Sequence, residues 1–174
     1  MPADGSDIRI LLIGDIVGKP GRKIVQGMLP GLRESLDLDL VIANAENSAA
    51  GSGIPPKIFA DLRTAGVDLM TLGDHAWKRR DNLEVLEKEP LCLRPHNYPE
   101  EALGTGWTVV ETAAGGPVAH VIVLGRVFMD SVSGPFRTVD AVLQEIPEDV
   151  KIRIVEFHAE ATSEKQAAGW HFDG

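Results

Sequence analysis

Three aliphatic runs at residues 8–13, 38–43 and 67–72 alternate with two helical stretches in the first half of the chain, and each run closes on polar side chains. The first run ends at Gly14-Asp15, the second at Asn44-Ala45-Glu46-Asn47 and the third at Gly73-Asp74-His75. Strands this rich in Val, Ile and Leu are buried on both faces, and alternation with helices predicts a parallel sheet covered on both sides. Between them, residues 20–35 carry Ile24, Val25, Met28, Leu29 and Leu32 at helical spacing, a pattern that presents one apolar stripe. Pro30 and Gly31 predict a bend or an early end to that helix. Pro55-Pro56 open a second helix reaching to about residue 65.

Right-handed crossovers bring the C-terminal ends of parallel strands to one edge, and open α/β sheets bind ligands at that edge. Asp15, Glu46, Asn47, Asp74 and His75 are therefore predicted to gather there. Further along, residues 107–112 and 118–124 read as an antiparallel pair around Gly115-Gly116, with residues 90–99 as an irregular connection punctuated by Pro90, Pro95 and Pro99. Residues 137–146 read as a helix and 152–157 as a fourth strand that closes on His158. Residues 163–168 open a last helix, which Gly169 is expected to end.

Taken one at a time, these polar residues have plain alternatives. Asp15 reads equally well as a helix cap, Glu46 and Asn47 as a loop acid and an Asx-turn, and His75 and His158 as satisfied structural histidines. Their placement at one edge favours ligation, because carboxylate, amide and imidazole donors suit Mn, Fe or Mg. His75 also fits a general acid near neutral pH. Lys78-Arg79-Arg80 could attract phosphate but reads first as a solvated helix start. His120 lies mid-strand as a packed residue, and His96 and His171 fall in turns.

The totals narrow the field. The 174 residues carry a formal charge of −9, which disfavours duplex nucleic acid because such binding neutralises phosphates with Lys and Arg. No apolar run approaches the ~18 residues of a membrane span. The first seven residues lack the basic start of a signal peptide. A single cysteine, Cys92, set between Leu91 and Leu93, predicts a buried thiol in a reducing, cytoplasmic setting and excludes a finger-type zinc site. The segment 14–20, GDIVGKP, is one residue too short for a phosphate loop and has Pro20 where a magnesium-holding hydroxyl is needed. No Gly-x-Ser-x-Gly elbow occurs.

Six blocks in order then carry a resemblance over nearly the whole chain: IGDIVGKPGR at 13–22, VIANAEN at 41–47, TLGDHAW at 71–77, LRPHNYP at 93–99, GRVFM at 125–129 and FHAEATSEK at 157–165. The chain resembles the YmdB-like branch of the calcineurin-like metallophosphoesterases. The resemblance implies an α/β fold of four layers, an αββα sandwich. It implies a site for two metal ions, divalent or mixed-valence, iron or manganese, and hydrolysis of small phosphodiesters including 2′,3′-cyclic nucleotides. By the same resemblance Asp15 and Asn47 are ligands of one metal, Glu46 bridges both, Asp74 and His158 serve the second, and His75 protonates the leaving oxygen. The family places Asn where this chain has Asp74, which adds a negative charge. The family also continues into a Gly-Thr-His-Thr-His segment beyond the last residue here. Residues 1–174 are thus expected to be one metallophosphoesterase domain, incomplete at its C-terminus, with an open sheet edge that favours homo-oligomers. The rival expectations are an interaction module that lacks turnover and a plain nucleotide-binding α/β domain.

Overall fold

The strand β2, Leu40–Asn44, is buried at every position, and its alternate side chains enter two different cores. Val41 and Ala43 pack with helical residues, whereas Leu40 and Ile42 pack against a second sheet. That alternation is the pleat of a strand whose two faces are both covered. It sets the layering of the whole molecule. A computed structural model describes residues 7–112 and 115–173.

The first sheet is parallel throughout, in the order β1-β2-β3-β4, with β1 at Ile10–Ile13, β3 at Leu69–Thr71 and β4 at Cys92–Leu93. The connecting helices are α1 (Gly18–Leu36), α2 (Pro56–Thr64) and α3 (Asn82–Lys88). Because each crossover steps one strand in the same direction with the same hand, all three helices fall on one face. There Val25, Leu29, Phe59, Leu62, Val85 and Leu86 cover Val41, Ala43, Met70 and Cys92. Burying a side chain of this size stabilises by roughly 1.5–3 kcal/mol.

The second sheet runs β5-β6-β7, comprising Trp107–Glu111, Pro117–Leu124 and Ile152–His158. The β5–β6 pair is antiparallel, as expected, and β6–β7 is parallel. Residues 113 and 114, between β5 and β6, lie outside the described residues. Helices α4 (Pro135–Glu145) and α5 (Thr162–Phe172) follow β6 and β7. Val139, Val142 and Phe172 pack on Ala119, Val121 and Val123 of the outer face. The inner face puts Val118 and Ile122 against Leu40, Ile42, Leu69 and Leu93. Helices, sheet, sheet and helices thus form four layers.

The first sheet is covered on both faces, as expected, by helices on one and by the second sheet on the other. Three local expectations are corrected. Helix α1 runs unbroken through Pro30 for 19 residues. Pro30 is exposed, so the carbonyl that loses its partner faces water, where the loss costs least. The stretch at 90–99 contains the two-residue strand β4, too short to show a periodicity. Gly169 lies inside α5, which continues to Phe172. Cys92 is fully buried in β4, as its neighbours predicted. No helix among the described residues is long and apolar enough to cross a membrane.

Candidate metal centre

Beyond their strands, the chain segments of the first sheet stay hydrogen-bonded to one another. The Ile16 N–H donates to the Asn44 carbonyl at 2.9 Å, Gly18 N–H to Asn47 O at 2.9 Å, and Ala45 N–H to Thr71 O at 2.9 Å. This continued pairing keeps the turns after β1, β2 and β3 in register, so their side chains emerge side by side. From the second sheet, His158 ends β7 beside Leu124 of β6, and the Gly125 N–H donates to its carbonyl at 2.8 Å.

Glu46, Asp74 and His158 converge. One donor atom from each lies within 4.8 Å of the others. His158 Nε2 stands 3.5 Å from Glu46 Oε1 and 3.6 Å from Asp74 Oδ1. Asn47 and His75 form the next contacts. Asn47 Nδ2 donates to Glu46 Oε1 at 3.2 Å and to Asp15 Oδ2 at 3.4 Å, and its Oδ1 lies 2.8 Å from His75 Nδ1. The His75 N–H donates to Glu46 Oε2 at 3.2 Å, and its Nε2 is 3.5 Å from Asp74 Oδ2. All six residues singled out in the sequence therefore belong to one connected cluster. Asp15 sits at its margin, linked through Asn47. It lines a cavity of about 300 Å³ between β1 and β7 with Asn44, Glu156 and His158.

The donors suit a hard or borderline divalent cation, being carboxylate and amide oxygens with one imidazole nitrogen. The space between them is kept clear. A Cβ added at Gly73 would collide with Glu46 Oε2 and with the His158 ring. Three acids gather here, and among the described residues Lys78 is the lysine or arginine that reaches them, its Nζ 3.8 Å from Asp74 Oδ2. Such a cluster of like charges is stabilised by a bound cation. Lys78 thus does more than solvate a helix start, whereas Arg79 pairs outward with Asp81 at 2.8 Å.

Around this cluster lie residues that the sequence did not single out. Tyr98 packs edge-on against Trp77 and donates to Asp130 Oδ2 at 3.1 Å. Burial, the Asp130 hydrogen bond and the nearby charges of Asp130 and Asp74 raise its hydroxyl well above the ordinary range. Beneath the cluster, Glu156 accepts from Thr71 Oγ1 at 2.9 Å, Asn44 Nδ2 at 3.3 Å and His120 Nε2 at 3.1 Å. Burial disfavours its charge, yet the hydrogen bond and charge of His120, with those bonds from Thr71 and Asn44, outweigh burial and hold the carboxyl below the usual range. His120 is packed, as expected, but it is also paired. An acid on the inward-facing register of an aliphatic strand, Ile152-x-Ile154-x-Glu156-x-His158, was the signal in the sequence.

Residues 11–174 match the family profile described as YmdB-like protein. The chain belongs to this family. Among YmdB-like relatives, it is 38% identical over 167 residues to the 2′,3′-cyclic-nucleotide 2′-phosphodiesterase of Bacillus subtilis, covering 96% of this chain and 63% of the relative. A solved structure of a hypothetical protein from Thermus thermophilus superposes with a TM-score of 0.89 at 42% identity, covering 95% of this chain and 64% of that one. A solved structure titled as a novel phosphatase of Mycoplasma pneumoniae gives 0.88 at 33% identity, covering 97% and 61%. The chain therefore spans somewhat less than two thirds of the length of these relatives.

Proposed function

We propose that this chain is a metal-dependent phosphodiesterase unit acting on small phosphodiesters such as 2′,3′-cyclic nucleotides. The observation that carries the reading is the meeting of Glu46, Asp74 and His158 from two different sheets within 4.8 Å. The relative named as a 2′,3′-cyclic-nucleotide phosphodiesterase supports the substrate class. In this reading Asp15, Glu46, Asn47, Asp74 and His158 would hold two metal ions, iron or manganese, with Glu46 shared by both, and the ions would supply Lewis acidity toward water and phosphoryl oxygens.

The protein's own groups do the rest. His75, oriented by Asn47 at its Nδ1, presents Nε2 toward the site, where it protonates the leaving oxygen. Lys78 brings a positive charge beside Asp74, which suits an anionic substrate. Asp74, in place of the family's asparagine, adds a negative charge to the donor cluster. Residues 1–174 act as one unit, a cytoplasmic setting fits the single buried cysteine, and self-association through the β1 edge belongs to the same proposal.

The test is metal analysis of the purified chain paired with a 2′,3′-cyclic nucleotide assay. Expected are bound iron or manganese and release of a nucleoside monophosphate that stops on chelation. A chain that retains no metal after reconstitution sinks the reading. Metal bound without any turnover favours the alternative of an interaction module.

A further inference from the structure

We propose that Glu156, which stands behind the metal centre, is a positioning residue that sets how closely His158 approaches Glu46 and Asp74. This rests on the metal-binding reading above.

The inner layer between the sheets is otherwise aliphatic, built from Leu40, Ile42, Leu69, Leu93, Val118 and Ile122. Glu156 is 26% exposed at the cavity wall, and the part of its carboxylate taken out of water is costly unless it is matched. Glu156 is matched from both sheets. Thr71 and Asn44 reach it from the first sheet at 2.9 and 3.3 Å, and His120 from the second at 3.1 Å. Except for His120 on β6, each member of the set lies just upstream of a donor along the chain. Asn44 precedes Glu46, Thr71 precedes Asp74, and Glu156 itself precedes His158 on the same face of β7.

Asn44 ties the set together. Its Oδ1 accepts the Glu46 N–H at 3.2 Å, while its Nδ2 lies between Glu156 and the His158 ring, 3.4 Å from Nδ1. The clasp thus fixes the separation of the two sheets at the point where their ligands must meet. Groups that orient ligands in this way are worth about 10- to 100-fold in metal affinity.

The test compares wild type with a triple variant, Thr71→Val, His120→Leu and Glu156→Leu, and with Glu156→Gln. The triple variant removes Glu156 together with Thr71 and His120, while Asn44 Nδ2 keeps its contact with His158 Nδ1 at 3.4 Å. Filling a buried polar site with apolar groups of similar size often leaves stability unchanged or raised. The probe is Mn²⁺ alone, titrated into metal-free protein, with the thermal midpoint measured alongside. Expected is a triple variant with an undiminished midpoint and about 10- to 100-fold weaker Mn²⁺ binding. Glu156→Gln, which keeps the shape and an acceptor but loses the charge, is expected to recover most of that affinity.

Equal Mn²⁺ affinity in wild type and triple variant overturns the positioning role. So does a loss of affinity that only follows a fallen midpoint. If Glu156→Gln binds as weakly as the triple variant, bulk charge rather than position is responsible and the proposal fails. Wild type that binds no Mn²⁺ overturns the functional reading itself.

Discussion

Glu46 is held by its neighbours on all sides. It accepts from Asn47 and from the His75 backbone, and it faces the His158 ring. Replacing it with Gln keeps the volume but removes half of the paired acidic charge that faces His158. The expected outcome is loss of bound metal with the fold intact, measured by metal analysis and circular dichroism. His75→Ala separates holding metal from using it. Its metal content should stay near that of wild type, while turnover of a 2′,3′-cyclic nucleotide falls by ~10²–10⁴. Metal retained in full by Glu46→Gln would remove Glu46 from the ligand set.

Among the elements, α3 shows how the short connections hold the site. Its first residue, Asn82, is fully buried. The amide oxygen accepts the Ile54 N–H at 2.8 Å, and Nδ2 donates to the Ala76 carbonyl at 3.2 Å. One side chain therefore ties the loop after β2 to the turn that carries Asp74 and His75. Gly53 makes room for it with a φ of +86°, and a Cβ there would collide with the Asn82 amide. Asn82→Ala strands two buried backbone groups at a cost of about 1–3 kcal/mol each. Denaturant unfolding should show a midpoint lowered accordingly, and an unchanged midpoint would mean that water replaces the amide.

At the scale of the molecule, Cys92 reports on the opening of the whole helix-covered core. It is fully buried in β4 among residues of α2 and α3. Burial, with a smaller contribution from the charge of Glu89, pushes its thiol from an ordinary 9.0 up to about 12. Only the thiolate reacts with disulfide reagents, so native protein at pH 8 should resist labelling and unfolded protein should label at once. The linkage has a definite sign. The folded state keeps the proton, so this contribution to stability is complete below pH 9 and is lost as pH rises from 9 toward 12. Rapid labelling of native protein at pH 8 would show that the core opens locally around β4.

What could be settled along the chain was local. Aliphatic runs marked β1, β2, β3 and β7; β2 and β3 are buried on both faces and show no polar alternation, whereas β1 and β7 are only partly covered. Their polar ends named Asp15, Glu46, Asn47, Asp74, His75 and His158, because a strand end is where a side chain can leave the core. Other features depended on partners distant in sequence. A strand of two residues, Cys92–Leu93, exists through its pairing with β3. An aliphatic face looks the same whether a helix or a second sheet will cover it, so the double-sheet layering could not be read from periodicity. Glu156 stood out only as an acid on an inward register, and its role could not be read along the chain, since its partners Asn44 and Thr71 lie 112 and 85 positions away. The chain specifies which side chains leave the core, and only the packing of the two sheets decides which of them meet.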